Sequence, residues 1–300
     1  MSMSMRRVFA VVAGVVVAAQ GAVGQVDDVL EQADEHYEEE RYERSAEILE
    51  RAESRAESGG ERAEVYWRLS RVQLGLGDDF RDEAEDEDSA IEAYNRGIDY
   101  GDQAIEADGS NNLGYYWKAS NLGRWGETRG ILSSLRQAKP MRNLLEESIE
   151  RDPRHSQSYY VLGLLYAKVP GGFVSFGNTD YAVSLARKAR ELHLEEVESG
   201  EEEMYYPVRF ELASHLSDRG WSRSKREREQ ETKRSKRSQA DGVLERSFYF
   251  EGTVSLPPMS DEEEARDILE DVVDELEGEA QKSSRERRQL ERARELLEEL

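Results

Sequence analysis

Apolar and small residues recur along most of this chain at three- and four-residue spacing, the period of a helix with one buried face. In "SYYVLGLLYAKVP", Tyr159, Leu162, Gly163 and Tyr166 share such a face, and in "DYAVSLARKARELH" Ala182, Ala186 and Ala189 do. The window before them, "MRNLLEESIERDP", contributes Leu145 and Ser148 and ends at Asp152-Pro153, a strong helix stop. The same pattern runs through "VLEQADEHYEEERYERSAEILERAES" (Ala33, Ser45, Leu49, Ala52) and "VYWRLSRVQLGLGD" (Tyr66, Leu69, Ser70). It continues in "YYWKASNLGRW" (Tyr116, Ala119, Ser120, Gly123) and "PVRFELASHL" around Ala213. Helices in pairs are predicted, with a small residue wherever two backbones approach.

The pairing resembles tetratricopeptide (TPR) repeats, two helices in roughly 34 residues. Anchors at Ala33, Ser70, Ser120, Gly163 and Ala213 are more widely spaced than that period, so the repeats are divergent and carry insertions. These include an acidic loop at Asp79–Asp88, an extension through "ETRGILSSLRQAKP", and a Gly-rich insertion at Pro170–Asp180. The expected fold is all-α: a right-handed superhelix of divergent TPR pairs, with a C-terminal helical hairpin and one short extended segment.

Beyond Gly220 the pattern changes. Ser222–Ser238 is basic and low in complexity, which predicts a flexible linker. Ser247–Pro258 is aromatic, β-prone and ended by two prolines, which predicts the extended segment. Ser260 with Glu263, and Ser283 with Glu286, have capping-box spacing ahead of two apolar stripes. The expected division is a signal peptide at 1–24, a TPR domain at 25–220, the linker at 221–246, the extended segment at 247–258 and the hairpin at 259–300. The hairpin would cap the solenoid or mediate self-association.

Composition agrees with a helical repeat: of 300 residues, 37% are apolar and 35% charged, with only six prolines. A net charge of −24 repels phosphate backbones and argues against nucleic-acid binding. The absence of Cys excludes disulfides, thiolate catalysis and zinc–thiolate sites. Arg6 and Arg7, the apolar run Val8–Ala19 and the small residues around Ala22-Val23-Gly24 make a signal peptide, its run short for a membrane span. Export to a periplasm or beyond is expected, with an uncleaved anchor as the rival. After cleavage no stable membrane insertion is expected.

In a TPR array one helix of each pair lines a concave groove. That register sends Trp67, Trp117, Tyr160 and Phe210 to equivalent groove positions, with Asn121, Arg124 and Trp125 beside Trp117. Aromatic rings on a concave face suit a protein partner or an extended apolar ligand, while packing between repeats is the plainer alternative. No catalytic, metal or cofactor site is expected. His36, His155, His193 and His215 are scattered, nucleotide and nucleophile motifs are absent, and "EDEDS" lacks the spacing of a calcium loop. The cations of Arg223–Arg237 are expected to find partners within the chain or remain solvated.

From Gly101 to His193, the "YYW" helix, the long arm to "AKP" and "LGLLYAKVPGG" resemble the T-component family of periplasmic TRAP transporters, and more weakly the animal regulator-of-microtubule-dynamics proteins. The first resemblance implies an all-helical, non-enzymatic accessory protein working with a TRAP solute-binding subunit. It also leaves open a carrier of hydrophobic small molecules, an envelope-assembly adaptor, or a homo-oligomer. No lipobox Cys is present, so lipid anchoring is not implied.

Overall fold

The computed structural model describes residues 26–172, 175–200, 202–278 and 282–300. The expected signal peptide at 1–24 lies outside them. Every regular element among the described residues is helical, apart from an isolated bridge between Gly171 and Gly177. No described helix is long and apolar enough to cross a membrane. The described residues form two compact units, divided between residues 137 and 138.

In the first unit, α1 (26–38), α2 (Tyr42–Glu53), α3 (Gly59–Asp82), α4 (Glu87–Ala107) and α5 (Asn112–Thr128) precede the start of α6 (Ile131–Arg151). Three starts have a local cause: Ser58 and Glu61 form a capping box for α3, Asp86 caps α4 and Asn111 caps α5. Successive helices are antiparallel. The Tyr42 ring lies against Gly75, while the Tyr66 hydroxyl donates to Glu53 at 3.0 Å at the other end of the α2–α3 pair. Gly77 lies against the Tyr94 ring, and Gly59 against the Ala107 carbonyl. Gly101 meets Lys118, and Gly114 meets Ala104 and Ile105. Two antiparallel steps make α3 and α5 parallel, and two amides tie them in register: Asn111 Nδ2 donates to Glu64 at 2.8 Å and Asn121 Nδ2 to the Ser70 carbonyl at 3.0 Å. A Cβ on Gly97 would overlap the Asn121 amide, so that glycine permits the approach.

The second unit holds the rest of α6, then α7 (Ser156–Lys168), α8 (Thr179–Ser199), α9 (Pro207–Arg219), α10 (Arg223–Gln239), α11 (Val243–Ser247), a 3-10 turn (Phe250–Gly252), α12 (Asp261–Gly278) and α13 (Ser284–Glu299). α7 and α8 are antiparallel: Ser156 Oγ donates to Glu196 at 2.7 Å, and at the other end the Asn178 N–H donates to the Tyr166 carbonyl at 2.8 Å. Both expected capping boxes form, at Ser260–Glu263 and Ser283–Glu286. α9 packs its Phe210, Leu212 and Leu216 against Ile268, Leu269 and Val272 of α12 and Ala293 and Leu296 of α13. The closing hairpin therefore belongs to this core.

Two expectations are corrected here. The basic stretch is the helix α10, with Arg226 and Lys233 buried, instead of a flexible linker. Their partners lie far away in sequence. Arg187, Arg219, Arg226 and Lys233 meet Asp180, Glu251, Asp261 and Glu264, four cations to four carboxylates. Arg187 grips Glu264 through both Nη atoms at 2.7 and 2.6 Å, and Arg219 grips Asp261 through Nε and Nη2 at 2.7 and 2.8 Å. The aromatic segment is also not extended. Phe250 and Glu251 are both buried, in a 3-10 turn and not in a strand. A 3-10 turn places the ring in the core and the carboxylate on Arg187, Arg219 and Lys233.

Acid should dismantle this unit in two stages. Burial, aided by the charge of Lys168, pushes the His215 imidazole down to about 4 from an ordinary 6.5. A histidine held neutral contributes stability above pH 6.5 that is lost as pH falls toward 4, about 3 kcal/mol in all. Burial alone would raise the Glu251 carboxyl, but the Arg219 hydrogen bonds and the charges of Lys233, Arg219 and Arg187 hold it well below the usual range. Burial likewise opposes Glu264, and Arg187 and Arg226 outweigh it. These depressed carboxylates contribute stability above about pH 4.5 that is lost as pH falls further. In urea titrations across pH, the difference between wild type and His215→Gln should shrink steadily from pH 6.5 to 4; a constant difference refutes the first stage. Glu251→Gln should lose about 3–5 kcal/mol at neutral pH, because it strands buried cations.

Candidate partner-binding face

The groove positions expected from the sequence divide between the two units. Trp67, Trp117, Asn121, Arg124 and Trp125 lie in the first; Tyr160 and Phe210 lie in the second.

On α3, Trp67 is 7% exposed and layered with guanidinium groups. The Arg68 guanidinium lies 4.1 Å from the Trp67 ring centroid, and that of Arg71 lies 5.2 Å from it and 3.9 Å from the Tyr37 centroid. Asp34 holds both arginines, accepting from Arg68 Nε at 3.0 Å and from Arg71. The Trp67 indole N–H donates to Glu64 at 2.9 Å, and Glu64 also accepts from Arg68 at 2.6 Å. Stacking on an indole face favours flat cations, so this ring is already occupied by its own chain.

On α5, Trp117, Asn121 and Trp125 follow at four-residue spacing. Asn121 is fully buried, contrary to its expected place in a groove: its amide donates to the Ser70 carbonyl and to the Trp117 carbonyl, both at 3.0 Å. A small polar side chain exposed on a groove could not also lock α5 to α3. The two tryptophans one turn to either side are half-buried, and their indole nitrogens are buried without an acceptor among the described residues. Trp117 meets the Tyr116 ring edge-on at 4.8 Å, and the Arg129 guanidinium lies 5.5 Å from the Trp125 centroid. Arg124 pairs with Asp78 and Glu127, each at 3.2 Å.

Tyr160 is half-buried, edge-on to Tyr205 at 5.9 Å. Phe210 is 6% exposed: α12 and α13 pack on its side of α9, and what remains uncovered lines a small cleft between α9 and α13 instead of a groove shared with the other expected positions. The hairpin that covers it lies beyond the repeats from which its position was inferred.

Sequence reasoning missed the most exposed apolar surface of the first unit. α5 ends at Thr128 with Arg129 as its C-cap, Gly130 turns the chain at φ +90°, and α6 opens with Ile131 and Leu132, which are 80% and 74% exposed, followed by Leu135. Gly126 approaches Ser134, so this apolar start of α6 stands against the α5 turn that bears Trp125. The available signal was an apolar "GIL" immediately after a turn glycine, with Arg129 and Arg136 on either side.

Three of the four histidines are absorbed by packing. His193 Nε2 accepts from the Tyr205 N–H at 2.8 Å, His155 Nδ1 lies 2.7 Å from Ser158 Oγ, and His215 is buried in α9. Among the described residues, no three His, Cys, Asp or Glu side chains are grouped to hold a metal ion.

The family model "Regulator of microtubule dynamics protein 1-3" matches residues 29–169. "Regulator of microtubule dynamics protein 1" of Bos taurus is 28% identical over 155 residues, 50% of this chain and 45% of that protein. The Mus musculus protein of the same name is 24% identical over 152 residues, 50% of this chain and 47% of that one. The chain thus spans less than half the length of these curated relatives. Among solved structures, a thermophilic TPR protein of Thermus thermophilus aligns with TM-score 0.48 and 17% identity, over 64% of this chain and 82% of that one.

The α5 tryptophans and Asn121 should respond oppositely to conservative change. Trp117→Phe keeps a ring and removes a buried donor without an acceptor, so it should be neutral or stabilising by up to about 1–3 kcal/mol. Asn121→Leu removes the amide bonded to Ser70 and should destabilise by a similar amount. Thermal melts of the two variants check this, and an unstable Trp117→Phe protein would contradict it.

Proposed function

We propose that this chain is an exported, non-enzymatic helical scaffold that binds a protein partner through the α5–α6 surface of its first unit. The exposure of Ile131 and Leu132 beside the half-buried Trp125 carries this reading. Contiguous exposed apolar surface marks interaction sites in soluble proteins. Tryptophan and arginine, present here as Trp117, Trp125, Arg124 and Arg129, are the side chains on which interface energy concentrates.

The stretch shared with the regulators of microtubule dynamics, 29–169, includes this surface, which supports an inherited interaction role. The names of those relatives offer microtubule regulation as the context. The basic and apolar pattern of residues 6–19 supports export instead. Within an exported setting, the likeness to TRAP T-components makes a periplasmic solute-binding protein the partner to test first.

Ile131→Ser/Leu132→Ser alters only exposed side chains and should leave stability within about 0.5 kcal/mol. Immobilised wild type and variant, matched by circular dichroism, are each exposed to the envelope fraction of the native cell. A protein retained by wild type and lost by the variant is expected. Equal retention by both would overturn the assignment of this surface.

A further inference from the structure

A cleft of about 530 Å³ opens in the second unit between α8, α12 and the segment after the 3-10 turn. Its volume is in the range of small-molecule and short-peptide sites, roughly 300–1,000 Å³. Arg190 stands in its wall and differs from the cations around it. Arg187 is held by Glu251 and Glu264, and Arg209 by Glu275 at 2.6 Å. Arg190 has no ion pair or hydrogen bond within the described residues, and its Nε is buried without an acceptor. The two carboxylates near enough to act on it are engaged elsewhere: Glu264 with Arg187 and Arg226, and Asp271 with Arg209 at 3.9 Å. Burial, then the charges of Arg209 and Arg187, push the Arg190 guanidinium below its ordinary value. Among the described residues this cation has no paired anion.

The remainder of the cleft restricts which anion can enter. Leu194, Phe250 and Ile268 give it an apolar lining, and Glu198 stands at the far end of α8. Residues 190, 194 and 198 succeed one another along one side of the helix. At 1.5 Å rise per residue, Glu198 lies about 12 Å along α8 from Arg190, with Leu194 midway. Glu191 and Glu195 flank this track but are paired, with Lys188 at 2.8 Å and Arg154 at 3.0 Å; Glu198 has no partner among the described residues. A ligand lying along α8 therefore meets a cation, an apolar patch and a carboxylate in turn, with Asp267 and Asp271 of α12 lining the cleft as further carboxylates. A fatty acid would satisfy Arg190 and lay its tail on the acidic end, and a dianion would be repelled there.

The geometry points to a short apolar peptide with free termini as the ligand of this cleft. Its C-terminal carboxylate sits on Arg190, its side chains lie over Leu194, Phe250 and Ile268, and its ammonium meets Glu198. Three extended residues span about 10 Å, which fits the track. The site lies in the second unit, so it stands or falls independently of the Ile131–Leu132 surface.

Calorimetric titration of the full chain with trileucine, trileucine amide and N-acetyl-trileucine tests this. Trileucine should bind, and amidation should weaken binding by about tenfold or more, as loss of a charge-assisted hydrogen bond implies. N-acetylation should weaken binding by a smaller factor, since Glu198 is exposed. Arg190→Gln should abolish the distinction between acid and amide, and Glu198→Gln the distinction between free and acetylated amine. The peptide series on the unaltered chain remains decisive if Arg190→Gln folds poorly. Equal binding of acid and amide, or no heat from trileucine at all, would overturn the assignment.

Discussion

The second unit depends on one balance: Arg187, Arg219, Arg226 and Lys233 are removed from water only because Asp180, Glu251, Asp261 and Glu264 arrive with them. A single buried ion costs several kcal/mol, and burial of a pair is recovered only when geometry and hydrogen bonding are good. Further donors are used as well: Arg226 Nη1 reaches the Met259 and Ser260 carbonyls at 2.7 and 2.8 Å, while its buried Nε keeps only ion-pair proximity to Asp261 at 3.2 Å. The network joins α8, the end of α9, α10, the 3-10 turn and the start of α12. It fixes directions that apolar packing alone would leave loose.

The first unit solves a different problem with smaller means. Three helices must approach closely enough for α3 and α5 to exchange hydrogen bonds past α4. Ser70 and Gly97 leave the room, with Ser70 Oγ donating to the Gly97 carbonyl at 2.7 Å, and Asn121 fills what remains. The orphan indole donors of Trp117 and Trp125 lie one turn to either side of this junction. Tight packing at Asn121 thus leaves its neighbours half-covered, which is where a binding surface can form.

Periodicity made the helices legible, including both capping boxes and the stop at Asp152-Pro153, because those signals act within a turn or two of chain. The buried state of Ser70 and Tyr116 followed from the same register. What could not be read was long-range. Nothing near Lys233 shows that Glu251 and Asp180 will neutralise it, so a charged run resembled a solvated one. Phe210 packs against a hairpin that local pattern cannot place. Asn121 departed from expectation because its partner Ser70 is 51 residues away. The exposed Ile131 and Leu132 escaped notice because an apolar pair at a helix start ordinarily reads as core.

The Arg187–Glu264 contact spans 77 residues of sequence. During synthesis, Arg187 and Arg219 leave the ribosome well before Glu251, Asp261 and Glu264 exist to meet them. A nascent chain ending at α9 holds guanidinium groups that cannot leave water, together with apolar α9 residues that α12 has yet to cover. This half of the protein must therefore wait for nearly its whole length before it can close, and an early stop codon would release a soft, protease-sensitive fragment instead of a shorter folded domain.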